Sequence, residues 1–240
     1  MSAAEPRPIR TFGRRRGRPQ RAARAALMRS LLPKLALPES PFDPAALAPW
    51  AREVWLEVGF GAGEHLIAQA LGAPDVLVMG AEPFENGMAA AVAQIDRLGL
   101  GNVRLHAGDA RDLIARLPDA CLARLYLLFP DPWPKTRHRK RRLVQPAFAA
   151  SAARVLAPGG QLFFATDWAD YVETALMALA STPGLEWTAR SAEDWRRPPP
   201  DHAPTRYQQK GLGDCAPVWL IFRKRGGAAP PSLFSSTLAT

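Results

Sequence analysis

Cysteine is almost missing from this chain, and its scarcity excludes two kinds of stabilised protein. The 240 residues include only Cys121 and Cys215, which are far apart and lie beside no pair of histidines. Such a sequence predicts neither a disulfide framework nor a zinc site, and we expect no bound metal. Because unpaired thiols are typical of reducing compartments, we expect a cytoplasmic protein.

Long hydrophobic runs are missing as well. No apolar run approaches the roughly 20 residues that a helix needs to span a bilayer, so we expect no membrane association. Apolar residues nevertheless make up 48% of the chain, which is ample for the packed core of one α/β domain. For the oligomeric state, a monomer and a homodimer both stay open.

Acidic residues are scarce in two segments that hold much of the positive charge. Residues 1–30 contain nine arginines and one acid, and residues 135–142 contain six basic residues and no acid. The whole chain carries a net charge of +9, whereas the chain without these segments carries −5. Such patches are typical of proteins that bind a polyanion. A solvated tail is the alternative interpretation, chiefly for the first segment.

Composition and periodicity divide the chain into three parts. Residues 1–30 lack an apolar period and are predicted to form a flexible, arginine-rich arm. Residues 31–225 are predicted to form one folded domain, and residues 226–240 a flexible tail.

Within that domain, short apolar runs alternate with helical patterns. Seven strands are predicted, at residues 54–60, 76–82, 103–107, 122–129, 161–166, 185–189 and 218–223. Helices are predicted between them, at residues 64–71, 86–98, 112–117, 143–156 and 169–180. This alternation indicates an α/β fold with a doubly wound, mainly parallel seven-stranded sheet. The polar, proline-rich residues 191–217 are predicted to form a long loop, and such loops are often functional.

The first strand runs into a glycine-rich turn, Gly59-Phe60-Gly61-Ala62-Gly63. Such a turn lets a nucleotide-like ligand approach the backbone at the carboxyl ends of the strands. Glu82 closes the second strand, where a carboxylate can accept from ribose hydroxyls. Asp109 closes the third strand, within reach of an adenine amino group, and Glu57 precedes the turn, where it can meet an ammonium.

These three carboxylates together predict an adenosine that carries a positively charged amino acid tail. A dinucleotide fits less well, because its pyrophosphate would be repelled by Glu57 and the glycine spacing is G-x-G-x-G instead of G-x-G-x-x-G. Each acid taken singly is equally well an ordinary helix cap or a surface carboxylate.

The fourth strand ends in Phe129-Pro130-Asp131-Pro132-Trp133-Pro134-Lys135. The prolines restrict the backbone around Asp131, so little conformational entropy is lost when a ligand binds there. Trp133 offers a flat face on which a base can stack. A rigid turn without chemistry is the alternative interpretation.

The run Phe-Pro-Asp-Pro-Trp-x-Lys and the basic residues up to Arg142 resemble the signature of the bacterial tRNA (guanine-N7)-methyltransferases. The similarity extends in order over residues 56–61, 108–110, 165–167 and 205–207, and it covers about residues 52–225. It implies a Rossmann-like class I methyltransferase that uses S-adenosylmethionine. It also implies that the substrate is tRNA, methylated on the guanosine at position 46 of the variable loop.

The resemblance implies roles for individual residues. The residues that would contact S-adenosylmethionine are Glu57, Gly59, Glu82, Asp109 and Asp131, of which Asp131 would be catalytic. Those that would contact the guanosine are Lys135, Asp167, Thr205, Arg206, Tyr207 and Gln208. Those that would bind the RNA backbone are Arg137, His138, Arg139, Lys140, Arg141 and Arg142.

One position departs from the family pattern, because Gln208 stands where the family usually has glutamate, and a charged contact there becomes neutral. Two rival hypotheses remain at this point. The chain could be a methyltransferase of another target, such as another RNA or a protein, or a non-enzymatic RNA-binding protein with the same fold.

Overall fold

A computed structural model describes residues 13, 15–17, 19 and 21–226. The arm predicted for residues 1–30 and the tail predicted for residues 226–240 therefore lie partly outside the described residues. Within the described part of the chain, no helix is long and apolar enough to cross a membrane.

Among the residues that the structure describes, seven strands form one sheet in the order β3-β2-β1-β4-β5-β7-β6. They span Glu53–Val58 (β1), Val76–Ala81 (β2), Val103–His106 (β3), Leu122–Leu128 (β4), Leu156–Thr166 (β5), Leu185–Trp187 (β6) and Val218–Lys224 (β7). Strand β7 is antiparallel to both of its neighbours, and every other pairing is parallel. The predicted fold class, a doubly wound and mainly parallel seven-stranded sheet, is confirmed.

Helices cover both faces of this sheet. The longer ones span Ala22–Ser30 (α1), Glu64–Gly72 (α4), Glu85–Leu98 (α5), Ala110–Arg116 (α6), Pro146–Val155 (α7) and Ala169–Ala180 (α8). Short helices span Leu32–Leu35 (α2), Pro44–Leu47 (α3), Glu193–Arg196 (α9) and Arg206–Lys210 (α10), and a 3-10 helix spans Thr136–Arg141.

The alternation of side chains along β1 explains why the core has two halves. Val54, Leu56 and Val58 belong to one buried apolar cluster, whereas Trp55 belongs to the other, beneath α4 and α5. Successive strand residues point to opposite faces, so Glu57 faces the second cluster and is only 3% exposed. A carboxylate is thus placed inside an apolar layer, directly before the glycine turn.

The structure corrects three sequence-based predictions of local structure. Residues 22–30, predicted to be part of a flexible arm, form α1, which packs against α5. The helix predicted from residue 143 begins at Pro146, because proline suits the first turn of a helix, where no backbone donor is needed. The predicted loop at residues 191–217 contains α9 and α10.

Candidate active site

The glycine turn after β1 has a backbone that only glycine adopts easily. Gly59, Gly61 and Gly63 have φ angles of +70°, +58° and +87°, in the left-handed region that side chains disfavour. A Cβ atom on Gly63 would also lie 2.9 Å from the Cβ atom of Ala91. The turn therefore holds α5 close and starts α4 directly at Glu64.

Two adjoining cavities, of about 150 and 370 Å³, open at the carboxyl ends of β1, β2 and β4. Gly59 and Asp131 line both of them, Asp109 lines the smaller one, and Glu82 and Tyr207 line the larger one. The combined space is in the range of small-molecule sites. Five residues that were predicted from separate motifs therefore meet at one place.

Glu82 stands where β2 ends and is anchored by backbone donors. Its two oxygens accept hydrogen bonds from the amides of Gly61 (2.7 Å) and Phe84 (2.8 Å). Burial, helped by the charges of Asp131 and Glu57 and opposed by these amides, raises the pKa of Glu82 from 4.5 to about 7. Glu82 and Asp131 place two carboxylates in the wall of the larger cavity, which suits a cationic ligand.

Asp109 serves as the N-cap of α6. Its Oδ1 accepts from the amide of Arg111 (2.9 Å), and the Arg111 guanidinium donates to both of its oxygens at 2.9 and 2.7 Å. This arrangement orients the carboxylate at the cavity wall, and Arg111 lines the same cavity. The sequence reasoning did not identify Arg111 as a neighbour of the site.

The segment that carries Asp131 is held in an unusual backbone conformation. Phe129 and Trp133 have φ angles of +51° and +44°, a strained region for large side chains that is typical of functional sites. The amide of Phe129 donates to the carbonyl of Ala165 (2.8 Å), which ties the segment to β5. The Asp131 side chain is reachable by solvent, yet the surrounding walls exclude enough water to raise the pKa of Asp131 above its ordinary value.

Of the predicted guanosine contacts on α10, only Tyr207 lines the cavities. The Thr205 hydroxyl caps α10 by accepting from the amide of Gln208 (3.2 Å). The Gln208 side chain accepts from Nε2 of His202 (2.7 Å), and Arg206 lies 3.4 Å from Glu64. Thr205 and Gln208 therefore stabilise the loop that presents Tyr207.

Asp167 and Lys135 lie beyond the cavity linings. The carboxylate of Asp167 accepts from the amide of Gly213 (2.9 Å), and its carbonyl accepts from the amide of Cys215 (3.0 Å). Asp167 therefore orders the loop before β7. Lys135 is exposed at the N-cap of the 3-10 helix.

The basic segment 135–142 contains the 3-10 helix Thr136–Arg141 and lies near the surface except at Arg142. The prediction that Arg142 binds the RNA backbone is wrong. The Arg142 side chain is fully buried, and it donates to the carbonyl of Pro132 (2.8 Å), the hydroxyl of Thr174 (2.9 Å) and the carboxylate of Asp170 (2.7 Å). It is a structural residue and cannot reach an RNA backbone.

The other residues of this helix stay near the surface. Arg137 and Lys140 are exposed, and Arg139 bonds to Asp170 at 2.9 Å. Arg141 places its guanidinium 5.0 Å from the ring centre of Trp133, and His138 meets that ring edge-on at 6.0 Å. The basic surface therefore borders the smaller cavity, which Trp133 and Arg141 line.

A segment of the predicted arm reaches the same cavities. Gly13 lines both of them. Arg16 pairs with Glu85 at 2.8 Å, and the amide of Gly17 donates to the Asn86 side chain at 2.8 Å. The arginine-rich composition of the arm indicates a polyanion partner, but it does not predict that the arm contacts the cavities and the start of α5.

Among residues 13, 15–17, 19 and 21–226, no group of three or more histidine, cysteine, aspartate or glutamate side chains could hold a metal ion.

Comparison with known proteins places these features in a family. A family model described as "Putative methyltransferase" matches residues 51–220. A tRNA (guanine-N(7)-)-methyltransferase of Caulobacter sp. strain K31 is 54% identical over 90% of this chain and 95% of its own length. The protein of the same name from Hyphomonas neptunium is 48% identical over 90% of this chain and 100% of its own length.

Solved structures with the same fold are much more distant in sequence. A 16S rRNA (adenine(1408)-N(1))-methyltransferase from Catenulisporales acidiphilia covers 78% of this chain and 93% of its own, with 17% identity and a TM-score of 0.52. The 16S rRNA methyltransferase KamB covers 75% of this chain and 92% of its own, with 17% identity and a TM-score of 0.53. These similarities support the fold alone.

The raised pKa of Glu82 predicts a pH effect on stability. The folded protein holds this proton up to about pH 7, whereas the unfolded chain releases it near 4.5, so Glu82 lowers the free energy of unfolding as pH rises between those values. The full loss is about 3 kcal/mol, at about 1.4 kcal/mol for each pKa unit.

Urea denaturation of the wild type and Glu82→Gln between pH 5 and pH 8 measures this effect. The wild type is expected to lose stability relative to the variant as pH rises. If the free energies of unfolding of the two proteins change with pH in parallel, the predicted effect of Glu82 is contradicted.

The burial of Arg142 predicts a large loss of stability on its removal. Arg142→Ala is expected to lower the free energy of unfolding by about 3–5 kcal/mol, because it leaves buried acceptors without their partner. The matched control Arg137→Ala removes an exposed arginine of the same helix and is expected to change it by less than about 0.5 kcal/mol. Equal effects of the two substitutions in denaturant titrations would refute the structural role.

Proposed function

We propose, on the premise that the chain belongs to the tRNA (guanine-N7-)-methyltransferase family, that it methylates N7 of the guanosine at position 46 in the variable loop of tRNA. The methyl donor is S-adenosylmethionine, which supplies an electrophilic methyl group on a sulfonium. The observation that carries the proposal is that Gly59, Glu82, Asp109 and Asp131 surround one pair of adjoining cavities.

The cavities suit the donor in charge and in hydrogen-bonding groups. Glu82 is anchored through both oxygens by backbone amides, and its remaining lone pairs suit ribose hydroxyls. Asp109, oriented by Arg111, stands where an adenine amino group would bind. Glu57, Glu82 and Asp131 provide negative charge for a donor whose sulfonium and ammonium groups are cations.

Methyl transfer to guanine N7 depends on the placement of the two reactants more than on proton transfer. Guanine N7 has a free lone pair at neutral pH, so the chain needs no general base, and its task is to hold N7 in line with the methyl group and to exclude water. The bond from carbon to N7 forms as the bond from carbon to sulfur breaks, and positive charge develops on the guanine ring. Asp131 lies in the rigid segment beside both cavities and stabilises that charge.

The substrate side of the site is built from the loop before β7 and from the basic helix. Tyr207 lines the larger cavity beside Asp131, where its ring meets a base that has left its stack. Asp167, Thr205, Arg206 and Gln208 hold that loop in place, and Lys135 stands at the border of the basic surface. Arg137, His138, Arg139, Lys140 and Arg141 bind the RNA backbone next to the smaller cavity.

The activity is tested by incubating the protein with labelled S-adenosylmethionine and unmodified tRNA, followed by chemical scission at 7-methylguanosine. Scission is expected at position 46 and is expected to vanish for a tRNA with adenosine there. Asp131→Asn is expected to reduce turnover at least 100-fold without loss of fold, because it removes the charge that stabilises the cationic ring. Asp96→Asn, an exposed carboxylate on α5, is the matched control and should retain full activity.

Label found at another nucleotide, or in no RNA at all, would refute the proposed target. Near-normal turnover of a folded Asp131→Asn variant would refute only the role of that carboxylate.

The basic helix predicts a change in the salt dependence of tRNA binding. The double variant Arg137→Ala/Lys140→Ala is expected to make the logarithmic salt slope of the binding constant shallower by about two, because each lost phosphate contact removes about one unit. Arg97→Ala, an exposed arginine on α5, is the control. Binding measured from 50 to 200 mM salt with an unchanged slope for the double variant would exclude this surface.

A further inference from the structure

A chain of buried polar side chains lies beneath the glycine turn, inside the apolar layer between the sheet and α4. It contains Glu57, His65 and Gln69, which are 3%, 2% and 6% exposed, and Tyr126, which is 3% exposed. Glu57 and Tyr126 are register partners on β1 and β4, and His65 and Gln69 lie one turn apart on α4. Polar groups inside a core are costly unless each finds a partner.

The hydrogen-bond partners of His65 fix the orientation of its ring. Its Nδ1 lies 2.8 Å from Oε2 of Glu57, and its Nε2 lies 3.3 Å from the amide nitrogen of Gln69. An amide NH₂ only donates, so Nε2 accepts from Gln69 and Nδ1 donates to the Glu57 carboxylate. His65 therefore links Gln69 to Glu57 in one defined orientation.

The chain continues to a cation. The Tyr126 hydroxyl donates to Oε1 of Gln69 (3.4 Å), and the Arg124 guanidinium donates to the Tyr126 oxygen (3.0 Å). Arg124 also pairs with the carboxylate of Asp201. Every donor along the chain points from Arg124 toward Glu57, so each link polarises the next in the same sense.

The far oxygen of Glu57 is left for a ligand. His65 bonds to Oε2, and within the described part of the chain no hydrogen bond to Oε1 is formed. Glu57 lies two residues before Gly59, which lines both cavities. The carboxylate is thus oriented from behind and positioned at the glycine turn.

The same residues anchor the loop that carries α10. The amide of Gln69 also donates to the carbonyl of Asp201 (2.8 Å). The next residue, His202, packs against the His65 ring at 5.4 Å and against Trp219 at 4.4 Å. These hydrogen-bonded side chains therefore connect the glycine turn to the segment that presents Tyr207.

We propose that His65 is a positioning residue that directs Glu57 toward the ammonium group of the methyl donor, with its own orientation set by Arg124 through Tyr126 and Gln69. This inference rests on the proposed function, because it assumes that the cavities bind S-adenosylmethionine. It assigns a role to a histidine that touches neither the donor nor the RNA.

Two ligands that differ in one part test this role. S-adenosylhomocysteine has the amino acid tail with its ammonium, whereas 5′-methylthioadenosine has the same adenosine and thioether without that tail. His65→Leu is expected to weaken binding of S-adenosylhomocysteine by roughly tenfold, the effect of losing one charge-assisted hydrogen bond. Binding of methylthioadenosine, followed by calorimetry, is expected to stay within twofold of the wild type.

Conservative variants separate positioning from a merely structural effect. His65→Asn keeps a donor close to the Nδ1 position and is expected to restore most of the affinity for S-adenosylhomocysteine. If His65→Leu does not fold, Tyr126→Phe removes one hydroxyl from the relay and keeps the ring. Tyr126→Phe is expected to weaken the binding of S-adenosylhomocysteine about threefold and to leave the binding of methylthioadenosine unchanged.

Equal weakening of both ligands, or unchanged binding of S-adenosylhomocysteine in folded His65→Leu or Tyr126→Phe, overturns the positioning role and leaves the proposed function standing. A wild-type protein that binds neither ligand overturns the proposed function, and this inference with it.

Discussion

The hydrogen bond between His65 and Glu57 lies in the apolar layer beneath the glycine turn, and the orientation of this buried carboxylate depends on it. A carboxylate only 3% exposed is tolerated in a core when a partner offsets its lost hydration. That partner comes from the first turn of α4, which starts immediately after Gly63. The left-handed glycines, the start of α4 and the placement of Glu57 are therefore parts of one arrangement.

The second constraint is the pair of carboxylates, Glu82 and Asp131, in the wall of the larger cavity. Glu82 has its pKa raised to about 7 by burial and by its acidic neighbours. Backbone amides of Gly61 and Phe84 offset part of that cost. Such a site is least favourable when it holds water alone and most favourable when it holds a cation, which is the charge expected of a sulfonium donor.

The basic segment 135–142 contains similar residues that have two different roles, one structural and one at the surface. Arg142 enters the protein and joins the segment to Pro132, Asp170 and Thr174. The preceding residues stay near the surface on a 3-10 helix, beside the wall that Trp133 and Arg141 provide. A buried cation thus fixes the platform on which the outer cations are presented. Because Arg142 also bonds to the carbonyl of Pro132, it helps to hold the backbone next to Asp131.

The succession of strands and main helices along the chain, the mainly parallel sheet, the acids at the strand ends and the family could be predicted from the sequence. These features depend on local patterns, because hydrophobic periodicity predicts the buried face of an element and a motif predicts its chemistry. The tertiary structure was needed to show that Arg142 is buried and that His202 is hydrogen-bonded to Gln208. It was also needed to show that Gly13 lines the cavities and that Arg124 is connected to Glu57 through hydrogen bonds. Each of these depends on which side chains meet across elements far apart in the chain. A run of arginines looks the same in sequence whether its last member faces water or Asp170, because burial is a property of the packed partners and not of the run.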